Sequence, residues 1–256
     1  MSAEIVTLAV ADGIAVVTLN RPPVNAVNGA LRYRLIEIFD EINDRDDVRV
    51  AVLTAAGKVF SAGADLKDRP DPTKPGAFWQ HNRITRETGN CIRECSKPVI
   101  AAVNGTALGA GFGLMAACDI MFAAKGAMFA MPEIDVGLAG GVAMVTALLG
   151  KSRTRRLIMT GMRISAEELY RLGVIEAALP PDQLLPEVMK VAAEIASKAP
   201  LGIRYAKNSC NMAELMPERD TYRFEQNFTY ELAKTEDSKE ARRAFAEKRK
   251  PVFKGL

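Results

Sequence analysis

The sequence predicts an α/β fold, and three observations support that prediction. Short apolar runs rich in β-branched residues alternate with segments of helical periodicity through the first 150 residues. The run VRVAVLTAA, at 48–56, is apolar at nearly every position, which is typical of a strand covered on both faces. After Gly150 almost every segment has helical character. The chain is therefore expected to join an α/β body to a mostly helical final third.

The first elements are predicted from local periodicity and turn residues. Two apolar runs, 5–10 and 14–19, are joined by Ala-Asp-Gly, which indicates a β-hairpin. Apolar residues spaced along one helical face predict a helix at 29–43. After the strand at 48–56, the loop KDRPDPTKPG contains three prolines in ten residues, which favours a mobile segment over a site. A helix is predicted at 77–95.

The remaining elements continue the alternation before the helical part begins. Strands are predicted at 98–103, 119–124 and 127–133, with helices at 110–117 and 142–150. Helices are then predicted at 153–160, 166–171, 186–198, 201–215 and 219–247. The last and longest of these has Phe224, Phe228, Leu232 and Phe245, which favours packing on something beyond its own core.

Composition excludes several classes of protein. The 34 basic and 31 acidic residues are well mixed and leave a net charge of +3, so no nucleic-acid or anionic membrane partner is expected. No apolar run approaches the ~20 residues of a membrane span, and a cytoplasmic location is expected. Four cysteines do not suggest a disulfide scaffold. Cys91 and Cys95 lie one helical turn apart, but they lack a ligand-rich partner segment, so no metal site is expected.

Three segments have residues suited to chemistry, and the first is KVFSAGADLKD at 58–68. The step from Gly63 to Ala64 places two amides at a turn with little side-chain cover, and Asp65 is suited to capping the turn that follows. A tight connection is the alternative function of this segment.

The second segment is AAVNGTALGAGFGLMAACD at 101–119. Its cluster of small residues precedes a short helix headed by the amide of Ala110. Two amides from separate loops aimed at one oxygen form an oxyanion hole, which stabilises an enolate or a tetrahedral anion. Close packing of helix on strand is the alternative explanation for so many small residues.

The third segment is FAMPEIDVGLAGG at 129–141, in which Glu133 has mainly apolar neighbours. Such surroundings raise the pKa of a carboxyl and suit it to taking and returning a proton near neutral pH. Its alternative role is that of a helix-start residue after Pro132, and Asp135 is the weaker candidate of the two carboxylates. The single histidine, His81, is predicted to be a surface or rim residue. The sequence has no phosphate-loop motif and no dinucleotide fingerprint.

The order of four motifs resembles the crotonase superfamily of enoyl-CoA hydratases and isomerases over essentially the whole chain. The motifs are SAGADLK, PVIAAVNGTALGAGFGLMAACD, FAMPEIDVGL and FAEKRKPVFKG. The resemblance implies a spiral of ββα units, at 1–195, that binds acyl-CoA, and a helical C-terminal trimerisation region at 196–256. It also implies a homotrimer or a dimer of trimers, and no cofactor other than the coenzyme A of the substrate.

The resemblance assigns roles to individual positions. The oxyanion hole would be formed by the amides of Ala64 and Ala110, and Glu133 matches the second catalytic glutamate of the hydratases. Contacts to CoA would come from Ala62, Asp65 and Leu66 and, on a neighbouring subunit, from Phe245 and Lys248.

The chain departs from the family pattern in ways that bear on the reaction. Gly113 replaces the first catalytic glutamate of the hydratases, Ala110 replaces the middle glycine of the usual triplet, and Gly141 replaces an aspartate used by dienoyl-CoA isomerases. One carboxylate suffices to move a double bond, whereas water addition is helped by two. The pattern therefore favours isomerisation through Glu133.

Other reactions stay open at this stage. Hydration of a 2-enoyl-CoA is the main alternative, with Asp68 or His81 as a source of the second group. Thioester hydrolysis, decarboxylation and a non-catalytic binding protein on the same fold are further alternatives. The residues Phe78, Trp79 and Met144 are candidates for the wall of the acyl pocket, or else for the core.

Overall fold

Two β-sheets form the framework of the chain, in a computed structural model that describes residues 4–256. The larger sheet has the order β1-β2-β3-β5-β7-β10, and the smaller one β4-β6-β8-β9. The strands of the larger sheet are β1 Val6–Ala11, β2 Ile14–Leu19, β3 Val50–Ala55, β5 Val99–Val103, β7 Ile120–Ala124 and β10 Ala177–Leu179. Those of the smaller sheet are β4 Val59–Ser61, β6 Thr106–Leu108, β8 Met128–Ala130 and β9 Ile164–Ser165.

The body of the chain repeats one ββα unit three times. In each unit the first strand joins the larger sheet, the second joins the smaller sheet, and a helix follows. The units are β3-β4-α2, β5-β6-α3 and β7-β8-α4, and equivalent strands of successive units pair in parallel. This arrangement confirms the predicted spiral of ββα units. It also explains the apolar strand at 48–56, because successive residues of β3 enter two separate cores on opposite faces.

The helices cover the sheets, and those after α5 form the helical part of the chain. Their bounds are α1 Gly29–Asp44, α2 Ala77–Arg93, α3 Ala110–Ala116, α4 Val142–Thr160, α5 Ala166–Arg171, α6 Pro181–Ala196, α7 Pro200–Ala213, α8 Glu218–Lys234 and α9 Glu236–Ala246. Helix α6 packs on the larger sheet, where Leu184, Val188 and Ala192 are buried. The division of the chain at 195 stays a prediction. In the part that the structure describes, no helix is long and apolar enough to cross a membrane.

Two predicted helix boundaries were wrong, and one predicted break is confirmed. The helix expected at 186–198 begins at Pro181, since a proline in the first turn loses no intrahelical hydrogen bond, and Pro186 lies inside the helix. The helices expected at 142–150 and 153–160 are the two segments of α4, which meet at a kink where Gly150 has a non-helical φ of 67°. The helix expected at 219–247 is two, because Thr235 is extended and its hydroxyl caps α9 by accepting from the Ser238 amide at 3.1 Å.

The aromatic residues of the C-terminal helices divide between two environments. Phe228 stacks on Tyr205 of α7 with ring centroids 4.4 Å apart, and Phe224 meets Phe228 edge-on at 5.0 Å. These two phenylalanines contact α7 and each other but stay half-exposed, so packing on something beyond the chain's own core stays a prediction. Phe245 is 87% exposed and does fit a surface role. Beyond α9 the chain folds back, and Asp237 accepts hydrogen bonds from the amides of Lys254 and Gly255.

Candidate active site

Three loops that follow neighbouring strands of the smaller sheet meet at one edge. The first follows β4 and contains Gly63 and Ala64, the second follows β6 and contains Gly109 and Ala110, and the third follows β8 and contains Glu133. Since β4, β6 and β8 are parallel neighbours, their carboxyl ends lie side by side. The three segments singled out in the sequence therefore lie together, at the position where ligands bind in many α/β sheets.

The first two loops approach so closely that side chains are excluded between them. Gly63 has a φ of +96°, and a Cβ built on it would lie 2.8 Å from the carbonyl oxygen of Leu108 and 3.6 Å from the amide nitrogen of Ala110. A Cβ on Gly111 would lie 2.6 Å from Cβ of Ser61. The glycines thus serve close packing, which was the alternative explanation for so many small residues. The same packing places Ala110 beside the first loop.

The backbone amides of Ala64 and Ala110 have no acceptor in the described part of the chain, whereas the amides on either side of Ala64 do. The amide of Gly63 donates to Ser61 Oγ at 3.2 Å, and that of Asp65 donates to the carbonyl of Val27 at 3.0 Å. Among the hydrogen bonds of residues 4–256, neither Ala64 nor Ala110 donates its amide to another protein group. Two unpaired donors on adjoining loops suit a single oxygen that carries negative charge.

Glu133 lies in a 3-10 helix, Pro132–Val136, with its carboxylate against the second loop. A Cβ built on Gly109 would lie 2.6 Å from Glu133 Oε1, and the Gly109 backbone has a φ of +49°. Oε2 is buried, and it has no hydrogen-bond partner within the described part of the chain. Burial raises the pKa of this carboxyl above the ordinary value for glutamate. An unpartnered carboxylate beside two free amides is the arrangement expected of a proton-transferring group.

A buried polar network holds the first loop in place. Ser61 Oγ donates to the carbonyl of Asn25 at 2.7 Å. The side-chain amide of Asn25 in turn donates to the carbonyls of Ala56 and Val59, at 3.0 and 2.8 Å. Both Asn25 and Ser61 are buried. Because each group is satisfied, the network fixes the backbone that carries Ala64.

Asp65 also has a structural task. Its Oδ1 accepts from the Lys67 amide at 3.0 Å, which confirms the predicted cap, and its Oδ2 pairs with Arg21 Nη2 at 2.8 Å. The Lys67 amide and, secondly, Arg21 hold the pKa of this carboxyl below its ordinary value. Arg21 further donates to the carbonyl of Ala26 at 2.9 Å. The CoA contact expected of Asp65 stays a prediction.

The sulfur atom of Met144 fills the space beside Gly113 in which a side chain would lie. Gly113 is buried in α3, and a Cβ built on it would lie 2.5 Å from Met144 Sδ. Met144, in the first turn of α4, is half-buried against the main core. A thioether therefore lies where the resemblance would place a carboxylate, which makes this wall of the site apolar.

Asp68 and His81 come together, but in a different cavity. With Arg32 and Tyr33 they line a cavity of about 260 Å³ to which Glu133 does not contribute. Asp68 Oδ2 accepts from the Gly29 amide at 2.5 Å. Burial and the nearby charge of Arg32 lower the pKa of His81. Asp68 and His81 therefore share this cavity with residues other than Ala64, Ala110 and Glu133.

The other candidate positions lie at the surface or hold the fold. Asp135 lies against Gly161 at the end of α4, which supports its alternative role of pinning the next turn. Trp79 is 78% exposed on α2, and Leu66 is also exposed. The amide of Ala62 donates to the carbonyl of Val24 at 2.9 Å. No group of three or more metal-ligating side chains occurs among residues 4–256.

Phe245 and Lys248 end α9, apart from the three loops in sequence. Lys248 has a φ of +54° and its amide donates to the carbonyl of Phe245. Within the chain α9 packs chiefly on α8. The contacts to CoA expected of these two residues on a neighbouring subunit stay a prediction.

The sequence interpretation missed an ion pair between a buried lysine of α7 and an accessible aspartate at the start of β7. Lys207 Nζ lies 2.9 Å from Asp119 Oδ2 and also donates to the carbonyls of Ile92 and Lys97. Lysine in an amphipathic helix is usually exposed, so no local pattern distinguished this one. Arg21 and Asn25 were missed for a similar reason, since their partners are distant in sequence.

The comparisons with known proteins agree with this geometry. A family model described as enoyl-CoA hydratase/isomerase matches residues 9–256. A carnitinyl-CoA dehydratase of Salmonella enteritidis is 36% identical over 247 residues, which cover 93% of this chain and 94% of that protein. The crystal structure of an enoyl-CoA hydratase from Bacillus anthracis superposes with a TM-score of 0.93 at 33% identity, covering 99% of this chain and 100% of that one.

A further solved structure is that of an enoyl-CoA hydratase/carnithine racemase from Magnetospirillum magneticum. It superposes with a TM-score of 0.90 at 28% identity, and the match covers 100% of this chain and 97% of that one. Fold and site thus define an enzyme of the crotonase class, which acts on CoA thioesters. The chain belongs to the enoyl-CoA hydratase/isomerase family.

Proposed function

We propose that this enzyme moves a double bond in an enoyl-CoA thioester, with Glu133 as the single proton carrier. The observation that supports this most directly is the buried, unpartnered Oε2 of Glu133 beside the free amides of the first two loops. The thioester oxygen would be held by the amides of Ala64 and Ala110. No cofactor is required besides the coenzyme A of the substrate, because the reaction neither oxidises nor reduces it.

The proposed steps conserve every atom of the substrate. The Glu133 carboxylate removes a proton from Cα of a 3-enoyl-CoA, and the electron pair moves onto the thioester oxygen as an enolate. The two amides stabilise that anion, and each such donor contributes about 10²–10³ in rate in enzymes where one has been removed. Protonated Glu133 then returns the proton to Cγ, which leaves a 2-enoyl-CoA. Its raised pKa suits both the removal and the return.

Isomerisation is favoured over water addition by the apolar wall at Gly113 and Met144. Activating a water molecule requires polar groups that orient it, and a thioether is only a weak acceptor. The alternative second groups, Asp68 and His81, line a separate cavity. One carboxylate beside an apolar wall therefore matches a proton shuttle better than a water site.

A second candidate is the elimination of water from a 3-hydroxyacyl-CoA. It is favoured by the 36% identity to a protein named carnitinyl-CoA dehydratase. In this reaction Glu133 would remove the Cα proton and pass it to the departing hydroxyl group. The same oxyanion hole would stabilise the enolate, whose electron pair then forms the Cα–Cβ double bond as the Cβ–O bond breaks and water leaves. The two candidates share the first step and differ in the second.

Further elements of the proposal concern binding and assembly. Ala62, Asp65 and Leu66 are proposed to contact the CoA, together with Phe245 and Lys248 of a neighbouring copy in a homotrimer or a dimer of trimers. A cytoplasmic location is proposed as well. Sedimentation of the purified protein should then give about three or six subunits, and a stable monomer at assay concentrations would contradict the role of Phe245 and Lys248.

The test compares substrates on wild type and two matched variants. Purified enzyme is given 3-enoyl-CoA, 2-enoyl-CoA and carnitinyl-CoA, and products are followed by absorbance and mass spectrometry. Glu133→Gln should lower turnover by about 10²–10⁴, the usual contribution of a general acid-base group, while CoA binding is retained. Asp135→Asn, which changes an exposed carboxylate of the same 3-10 helix, should keep its activity. Full activity of Glu133→Gln would refute the proposal, and turnover of carnitinyl-CoA alone would select the second candidate.

A further inference from the structure

A second cavity, of about 280 Å³, lies at the start of the parallel strands of the larger sheet. It is bounded by the loop before β3, the loop before β5, the first turn of α7 and the C-terminal segment around Lys254. None of its lining residues belongs to the three loops of the active site. Four separate segments of the chain thus converge on a space that the proposed reaction does not use.

The cavity is lined by an excess of positive charge. Arg49, Lys97, Arg204 and Lys254 come from the four different segments, and none of them has an ion pair within 4 Å among the described residues. A fifth cation, Arg45, is already paired with Glu41 and Asp47. Asp46 is the one acidic side chain among the lining residues. Unpaired cations held together repel one another, so an anion between them would be strongly favoured.

Buried hydrogen-bond donors lie in the same cavity. Ser96 Oγ is buried and makes no hydrogen bond with the part of the chain that is described. Lys97 is only 8% exposed and commits a single hydrogen bond, to the carbonyl of Asn43 at 2.6 Å. A buried hydroxyl without a partner in the chain is uncommon in proteins, and it is available to donate to a polar ligand in the cavity.

The first turn of α7 adds to this preference for negative charge. Pro200 and Leu201 of that turn line the cavity, and no side chain caps the helix, which is 14 residues long. The N-terminus of such a helix carries partial positive charge and suits an anion. The unpaired cations, the buried donors and the first turn of α7 therefore all favour an anionic ligand.

We propose that this cavity binds the phosphate group of a small molecule, either free phosphate or the diphosphate of a nucleotide. The unpaired cations would neutralise the oxygens, and Ser96 would donate its hydroxyl proton to one of them. The volume accommodates a phosphate or diphosphate, while a nucleoside would extend through the open side of the cavity.

Binding would also join two parts of the molecule. Lys254 belongs to the segment that folds back after α9 and is tied to Asp237, whereas Arg49 and Lys97 belong to the sheet body. A phosphate between them links that segment to the body. The bound anion should therefore stabilise the folded protein as well as occupy the cavity.

The test is a titration by calorimetry and thermal unfolding with inorganic phosphate, pyrophosphate and adenosine diphosphate. Ionic strength is held constant with sodium chloride, because non-specific charge effects depend on ionic strength alone. Wild type should bind saturably and unfold at a higher temperature. Arg204→Ala/Lys254→Ala should bind about tenfold or more weakly, since each lost charge-assisted hydrogen bond contributes on that order. Tighter binding of the nucleotide than of phosphate would identify the nucleotide as the source.

Two variants make the result specific to this cavity. Ser96→Ala changes no charge, and it should still weaken phosphate binding measurably. Arg86→Ala removes an exposed arginine of α2 that does not line the cavity, and it should bind as wild type does. Absence of saturable binding to wild type, or equal affinity in wild type and Arg204→Ala/Lys254→Ala, would overturn the proposal. Circular dichroism checks that each variant is folded.

Discussion

Met144 Sδ occupies the space in which a side chain at Gly113 would begin, 2.5 Å from the position of a Cβ there. The two residues belong to α3 and α4, which pack on each other beside Glu133. The Met144 side chain therefore fills the space that Gly113 leaves empty. This pair places a thioether, and no carboxylate, at position 113, where the resemblance implies the first of two catalytic glutamates.

The complementarity of this pair predicts an energetic coupling. Gly113→Ala should lose most of the stabilisation of about 1 kcal/mol that alanine gives in a helix interior, because the added methyl group forces Met144 to move. In a Met144→Ala background the same change should stabilise the fold, with a coupling of about 0.5–3 kcal/mol for residues in contact. Urea denaturation of the two single variants and the double variant measures it. Additive effects would contradict the contact.

The raised pKa of Glu133 predicts the acid limb of the activity profile. Burial favours the protonated carboxyl, which cannot accept a proton from the substrate. As the pH falls, kcat/KM should therefore decline with an inflection above the ordinary glutamate pKa of about 4.3. Initial rates across a series of buffers, with the folded state checked by fluorescence, give the profile. An inflection at or below the ordinary value would show that Glu133 is not the group that titrates.

The same pKa shift predicts that Glu133→Gln stabilises the fold at neutral pH. A carboxyl whose pKa is raised by folding favours the folded state at low pH, and that contribution is lost as pH rises through the folded-state pKa. Glutamine avoids the cost of the buried charge. The gain at neutral pH should be about 1 kcal/mol, or 2–4 °C in Tm, as for other substitutions at strained functional sites.

That gain should shrink as the pH falls toward the range in which Glu133 is protonated in wild type. Calorimetric scans at several pH values would measure the difference. Glu187→Gln, at an exposed pair with Lys190, is the matched control and should leave Tm nearly unchanged. A lower Tm for Glu133→Gln at neutral pH would mean that the carboxylate is stabilised by contacts.

Gly109→Ala should lower turnover without unfolding the protein. Its Cβ would meet Glu133 Oε1 at 2.6 Å, and its φ of +49° is costly for a residue with a side chain. The variant should therefore displace the carboxylate and lose at least about tenfold in kcat/KM, on the scale of a misplaced catalytic group. Gly89→Ala, in the interior of α2 with nothing within 4 Å, is the control and should be as stable as wild type or more so. Retained activity in Gly109→Ala would contradict the close contact between Gly109 and the Glu133 carboxylate.

Lys207→Met should be strongly destabilising. It leaves the carbonyl groups of Ile92 and Lys97 without their buried donor, which costs about 1–3 kcal/mol, while the remaining charge of Asp119 stays in contact with solvent. Lys190→Met, at an exposed ion pair, should cost less than about 0.5 kcal/mol. Chemical denaturation of both variants makes the comparison, and similar losses in the two would refute the distinction.

The sequence predicted those features that are local in the chain. Small residues around Gly63 and Ala110 predict a close approach of backbone, and Glu133 stands out because its neighbours are apolar. The order of strands and helices predicts an α/β fold, and the resemblance of four motifs to the crotonase superfamily adds the spiral. The signals for single elements each lie within about ten consecutive residues, where side-chain size and periodicity determine the conformation.

Features that depend on distant residues could not be predicted in this way. Arg21 and Asp65 pair across 44 positions, and Lys207 reaches the carbonyl of Ile92 across 115. Such polar pairs leave no periodic trace, since either partner alone resembles a solvated surface charge. The break at Thr235 differs, because a threonine followed by Glu236 and Asp237 is a recognisable helix start within an otherwise continuous helical pattern.

The parallel strands β4, β6 and β8 each deliver one loop to the site, and the next turn of the spiral returns the chain to the same edge. The groups proposed to bind the thioester oxygen and to transfer the proton thereby lie in separate, consecutive ββα units. Exchanging the loop after β8 should alter the proposed proton route while leaving the amides of Ala64 and Ala110 in place. Each turn of the spiral can therefore be changed separately.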